Sequence, residues 1–240
     1  MVLYLKIKVM LMVRDLSYCV GSGSKRRYIL DNLNFEAKAG EIVVITGQNG
    51  SGKSSFAQII MGIRKVQSGI ILFNGKDISN LSITDRAKLG IAYSFQQPIH
   101  FKGLSVKDIL QVAATGNETF LIDKKTDYDK LLGMVGLDGS QYLNREINAS
   151  LSGGELKRIE IASVLARSAR LMIFDEPEAG IDIWSFEKLI SIFKKIRKQN
   201  PNDSIIIISH QEKFMKVADR VFVLKNGKLA QVKSILEISK

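Results

Sequence analysis

Apolar and polar positions along the chain follow two rhythms. Residues 3–14, 30–37 and 41–46 are rich in Val, Ile and Leu and are bounded by Gly or Asn, which predicts strands. Gly47 to Ser54 interrupts this pattern, and residues 53–63 then read as a helix. A further strand and turn at 69–75 precede a polar segment ending at Arg86, and another strand is expected at 90–96. From 98 to 150 the period lengthens: Leu110, Ala113 and Ala114 fit one helical segment, and Tyr128, Leu131, Leu132 and Val135 fit the next. A helix at 152–168, a buried strand at 171–175, an amphipathic helix near 184–199 and a buried strand at 204–209 follow. Asn226-Gly227 supplies the tight turn of a terminal hairpin over 221–230. Buried strands alternating with helices predict an α/β fold on a parallel sheet. The stretch 98–150 reads as an inserted helical subdomain between core segments 1–97 and 151–240.

Composition narrows the class. The chain has 240 residues, 45% hydrophobic and 25% charged, which suits one globular unit with a real core. Its formal charge of +11 admits acidic partners, nucleic acid among them. The lysines are spread out, however, and Lys194, Lys195 and Lys198 fit the solvent face of a helix, without the exposed aromatics a nucleic-acid surface interleaves. No direct nucleic-acid contact is expected. Cys19 is the single cysteine and cannot close an internal disulfide, which points to a reducing compartment. No apolar run reaches the roughly 20 residues of a membrane-spanning helix, and residues 1–10 lack a secretory cleavage site. A cytoplasmic location is expected, with residues 1–9 readable as an upstream extension.

The first chemical signal is Gly47-Gln48-Asn49-Gly50-Ser51-Gly52-Lys53-Ser54-Ser55, which fills every fixed position of G-x-x-x-x-G-K-[ST]. It follows an apolar strand and opens a helix, the context a phosphate-binding loop requires. Glycines let backbone N–H groups turn inward around an anion, and the helix N-terminus reinforces them. Lys53 is expected to reach the β- and γ-phosphates of ATP and the Ser54 hydroxyl to bind Mg²⁺. The second signal is Leu171-Met-Ile-Phe-Asp175-Glu176, an apolar strand ending in two carboxylates at the edge where a parallel sheet gathers its ligands. Asp175 is placed as a metal group and Glu176 as the carboxylate that orients the attacking water, since phosphoryl transfer needs positioning more than covalent chemistry.

The third signal is Leu151-Ser152-Gly153-Gly154-Glu155. Ser152 and Glu155 make an S-x-x-E capping box, and two glycines leave the first turn open to a phosphate. Together with the phosphate loop, this pentapeptide resembles the signature of the ATP-binding-cassette (ABC) ATPases. That resemblance implies a P-loop NTPase fold with a RecA-like parallel-sheet core, an N-terminal antiparallel β subdomain and an inserted α-helical subdomain. It also implies a head-to-tail dimer in which residues 152–155 of one subunit cover the γ-phosphate bound by the other. Gln96 resembles the Q-loop glutamine that contacts Mg²⁺ and the attacking water, and Asp182 the D-loop aspartate at the dimer seam. His210 resembles the switch histidine that contacts the γ-phosphate. Tyr18 resembles the aromatic that stacks on adenine, with Tyr28 close by in sequence.

Further residues resemble the Suf-type ATPase of iron–sulfur cluster assembly. They are Leu72-Phe-Asn-Gly-Lys-Asp77, Phe95-Gln96-Gln-Pro98 with Gly103-Leu-Ser105, Ser152-Gly-Gly-Glu-Leu-Lys157-Arg158, and Glu178-Ala-Gly-Ile-Asp182-Ile183. Pro177 and Ala179 depart from that pattern, Pro177 as in transporters. The resemblance implies a Suf-type scaffold as partner; a membrane permease is the alternative. In either case residues 97–110 lie where such a cassette grips its partner.

Overall fold

The computed structural model describes residues 8–97, 101–115, 127–148 and 150–232. Two long strands, β1 (Val9–Val20) and β2 (Arg27–Lys38), pair antiparallel. β3 (Ile42–Thr46) leads into α1 (Lys53–Met61), and β4 (Ser68–Phe73) with β5 (Lys76–Asp77) completes a four-stranded antiparallel sheet of order β2-β1-β4-β5. After α2 (Ile83–Lys88) and β6 (Ile91–Ser94) come α3 (Val106–Thr115), α4 (Tyr128–Met134) and α5 (Gly139–Tyr142). Then follow α6 (Gly153–Ala166), β7 (Leu171–Asp175), α7 (Ile183–Gln199), β8 (Ser204–Ile208) and α8 (Glu212–Met215). The hairpin β9 (Arg220–Lys225) and β10 (Lys228–Val232) closes a six-stranded sheet of order β10-β9-β3-β8-β7-β6, parallel except at that hairpin.

The run Ile42-Val-Val-Ile-Thr is buried throughout because both faces of its strand are covered. Alternation sends Val43 and Ile45 into a core shared with α1 and the antiparallel sheet, and Ile42 and Val44 into one shared with α3, α4, α6 and α7. Each fully buried Ile or Phe in these layers contributes about 1.5–3 kcal/mol. The inserted helices thus lean on the same apolar cluster as the signature helix α6.

Strand β1 runs to Val20, past the expected end at residue 14; residues 3–7 of the expected strand lie outside the described ones. It runs on through the polar Arg14-Asp15 because Asp15 adopts a left-handed backbone (φ 50°) at a shift in the pairing with β2. Pro98 and His100 also fall outside the described residues. The polar segment expected to end at Arg86 runs into α2, a helix of six residues that is capped by Ser82 and includes Arg86. Arg86 is 1% exposed and donates to Ile59 O (2.6 Å), Ile60 O (2.8 Å), Ser79 O (2.9 Å) and Leu81 O (3.1 Å). It therefore caps the C-terminal carbonyls of the phosphate-loop helix from a different element. Among the described residues no helix is long and apolar enough to cross a membrane.

Candidate functional site

The phosphate loop joins the C-terminal end of β3 to α1. Gly47 (φ 141°) and Gly52 (φ 107°) need glycine twice over. A Cβ on Gly47 would sit 2.3 Å from Leu224 O, and one on Gly52 2.7 Å from Ile29 Cγ2. Lys53 is buried and folds back, donating to Gly47 O (2.8 Å) and Gln48 O (3.0 Å). Burial pulls its pKa down, opposed by the charges of Glu176 and Asp175. Ser51 Oγ is buried with no hydrogen-bond partner among the described residues. A donor hydroxyl without a partner, in the same loop as a buried ammonium, fits an anion such as a phosphate, whose oxygens are acceptors.

At the edge of the sheet, Ser54 Oγ donates to Asp175 Oδ1 (3.1 Å) and Tyr93 OH to Asp175 Oδ2 (2.7 Å). Asp175 is fully buried, and that burial raises its pKa against the two hydrogen bonds that lower it. Tyr93 is driven above its ordinary pKa by burial and by the neighbouring Asp175. A hydroxyl and a carboxylate this close are hard oxygen donors suited to Mg²⁺ completed by phosphate and water. Glu176 turns away from the strand with a left-handed backbone (φ 46°), held by its N–H to Ile208 O (2.9 Å). A non-glycine residue in that region costs of order 1 kcal/mol, a strain associated with functional positions. Gln96 Nε2 donates to Glu176 Oε2 (2.7 Å), and His210 Nε2 stands 3.9 Å from Glu176 Oε1. Burial and the charge of Lys53 lower the His210 pKa, with Glu176 opposing them. Ser54, Asp175, Glu176, Gln96 and His210 thus converge at one edge, from β3–α1, β7, β6 and β8.

The signature residues form a separate end. Ser152 caps α6: its Oγ accepts the Glu155 N–H (3.2 Å), and Glu155 Oε2 accepts the Ser152 N–H (2.7 Å). Tyr142 OH donates to Glu155 Oε1, and Arg145 lies 3.6 Å from the same oxygen. Tyr142 and Ser152 together hold the Glu155 carboxyl down at about 2, against an ordinary 4.5. Gly154 lies against the D-loop: a Cβ there would approach Gly180 O to 2.8 Å, whereas one on Gly153 meets nothing within 4 Å. Asp182 is exposed, and its backbone oxygen accepts the Phe186 N–H (2.9 Å) at the start of α7. No hydrogen bond joins residues 152–155 to residues 47–55 among the described residues.

The aromatic beside the phosphate loop is Tyr28, 55% exposed, which lines a cleft of about 640 Å³ with Gln48, Asn49, Ser51, His210 and Asn226. Tyr18 is not among the residues lining that cleft. Its hydroxyl accepts from Arg64 (2.9 Å), whose guanidinium sits 5.7 Å from its ring centroid. Strand pairing sets Cys19 opposite Tyr28, while Tyr18 pairs with Leu30 across a shift in register and packs partly against the core shared with α1. Tyr93, Tyr142, Arg145 and the α6 pair Lys157–Glu160 also bear on the site; of these only Lys157 lies in a stretch that the sequence singled out, and none was read as a site residue.

Several known proteins are similar. An uncharacterized ABC transporter ATP-binding protein of Methanocaldococcus jannaschii is 38% identical over 226 residues, covering 92% of this chain and 87% of that protein. The probable ATP-dependent transporter ycf16 of Trieres chinensis is 34% identical, covering 90% of this chain and 88% of that one. In fold, the dimeric post-hydrolysis state of an ATP-binding cassette bound to ADP and Pi matches with a TM-score of 0.83 at 23% identity, covering 93% of this chain and 98% of that one. A profile of the family described as ABC transporter matches residues 30–179. The chain belongs to the ABC transporter family and is one of its ATP-hydrolysing cassettes.

Proposed function

We propose that the chain hydrolyses Mg-ATP in a head-to-tail pair of copies. Gly47 to Ser55 hold the triphosphate, with Lys53 on its terminal phosphates, and Ser54, Asp175 and Gln96 hold Mg²⁺. Bound there, Mg²⁺ neutralises charge that builds on the phosphate oxygens. Glu176 accepts a hydrogen bond from the attacking water and aims it, while His210, kept neutral by its lowered pKa, contacts the γ-phosphate. Ser152 to Glu155 and Asp182 serve the partner's nucleotide, and Tyr28 is better placed than Tyr18 to meet the base. The observation that carries this reading is the convergence of Gln96 and His210 on the two oxygens of Glu176. ATP-dependent dimerisation followed by light scattering tests it; a chain that hydrolyses ATP while strictly monomeric at saturating nucleotide refutes the paired site.

We infer further that the subunit drives a Suf-type iron–sulfur assembly scaffold, supported by the residues at 72–77, 95–105, 152–158 and 178–183 quoted above. The second reading is the motor subunit of a membrane permease, favoured by Pro177 and by the transporter names of the relatives. For either partner, the exposed Phe101 and Leu104 offer apolar contacts within residues 97–110. Purification from the native cell without detergent separates the readings: soluble β-helical proteins support the first, and an integral membrane protein the second.

A further inference from the structure

The α6 helix carries two ionisable residues that the proposed chemistry leaves unused. Lys157 is fully buried, with Nζ donating to Phe95 O and lying 3.2 Å from Glu160 Oε2. The same ammonium is 3.5 Å from Gln96 O and from Asp175 O. Glu160, one turn on, accepts the Phe95 N–H through Oε1. Both polar backbone groups of Phe95 are therefore taken by side chains of one helix. The Phe95 ring is fixed as well, packed edge-on at 4.9 Å against Tyr93, whose hydroxyl holds Asp175.

Strand β6 ends at Ser94 on the edge of the sheet, so the residue after it has no ladder partner for its N–H and C=O. Any two apolar side chains of similar volume would pack α6 against this strand, and a buried ion pair seldom stabilises a fold better than they do. What only this pair supplies is a donor for the carbonyl and an acceptor for the amide, three residues apart on one helix face. We propose that Lys157 and Glu160 are positioning residues for ATP hydrolysis: they fix the backbone of Phe95 and so aim Gln96 at Glu176. The helix that makes the clamp is the one whose N-terminus carries Ser152 and Gly153, so the end offered to the partner's nucleotide and the root of this chain's own Gln96 belong to one rigid element. The proposal rests on Gln96 acting at the metal and the water.

The test is the double variant Lys157→Met/Glu160→Leu, which removes both charges and strands neither. It is expected to fold with a melting temperature a few degrees below the parent, because the two Phe95 backbone groups lose their partners, and to keep its affinity for a fluorescent ATP analogue. Its kcat should fall about a hundredfold, the loss typical of a misplaced catalytic group, with KM little changed. Without nucleotide, amide exchange should accelerate at residues 93–97 alone. A folded double variant with parental kcat and parental exchange overturns the clamp. Should the double variant not fold, Lys157→Met is measured in its place, since it removes the donor to Phe95 O: a lower kcat at unchanged KM supports the proposal, and a parental kcat overturns it. Gln96→Ala separates the two levels. Parental hydrolysis there removes the role of Gln96, whereas slow hydrolysis beside a parental clamp variant removes only the clamp.

Discussion

The carboxamide of Gln96 donates to the carboxylate of Glu176 over 2.7 Å, although they stand on strand ends separated by 80 residues of sequence. In this arrangement one oxygen of Glu176 is engaged and the other faces His210 at 3.9 Å. A neutral amide at position 176 can still accept from Gln96, but it is a far weaker acceptor for the proton of an attacking water. Glu176→Gln should therefore lower ATP hydrolysis by about 10²–10⁴-fold, the range for a positioned base. Nucleotide binding should persist, and an ATP-loaded dimer should accumulate on size-exclusion chromatography. Turnover at the parental rate would remove Glu176 from the chemistry.

The two signature glycines should separate under substitution. A methyl on Gly154 would meet the D-loop carbonyl of Gly180 at 2.8 Å, a contact side chains do not tolerate, so helix and loop must part. A methyl on Gly153 meets nothing within the subunit. Gly154→Ala is expected to cost about 1–3 kcal/mol in the isolated chain, read by denaturant titration. Gly153→Ala should leave that titration unchanged while weakening ATP-dependent dimerisation. Equal loss of stability in both variants would contradict the assignment of Gly153 to a face left for a second copy.

Much of this arrangement was legible in the sequence because its signals are local. The phosphate loop, the apolar strand ending in Asp175-Glu176 and the capping box at Ser152 each encode their own geometry within nine residues. Long-range choices were not legible. Nothing near Tyr18 says which face of β1 it occupies; pairing shifts at Val13/Leu16 and Tyr18/Cys19 decide that, and pairing is a property of two strands. Arg86 reads as a surface residue in a polar stretch, yet tertiary packing makes it the cap of a helix that ends 25 residues earlier. Lys157 and Glu160 look like an exposed i,i+3 pair, and only the proximity of β6 turns them inward.

Arg86 supplies a prediction of its own. Its guanidinium satisfies four backbone carbonyls from inside the protein, so Arg86→Leu leaves these acceptors without donors in a site closed to water. Each stranded acceptor costs about 1–3 kcal/mol, less what water recovers as the site relaxes. A net loss of about 3 kcal/mol would lower the melting temperature by roughly 6–12 °C in a chain of this size. Because α1 carries Lys53 and Ser54, affinity for ATP should weaken with it. A melting temperature within about 1 °C of the parent would show that the bonds contribute nothing net.

Acid should expose the contribution of Glu155. Its folded pKa is about 2 against an ordinary 4.5, held down first by the Tyr142 hydroxyl and then by the Ser152 amide. The unfolded chain therefore binds this proton more readily than the folded one. The stabilisation is complete above pH 4.5 and is lost as the pH falls from there towards 2. Asp175, Glu160 and Glu178 have pKa values raised by burial, so their terms run the other way and lose stability as the pH rises. A Glu155→Gln variant retains those three groups, so subtracting its melting curve from the parent's isolates residue 155. The difference should be constant above pH 4.5 and shrink below it. Tyr142→Phe removes the leading cause, and the Glu155 carboxyl, followed by NMR, should then titrate closer to 4.5. A difference that grows on acidification would mean that the network disfavours the ionised carboxylate.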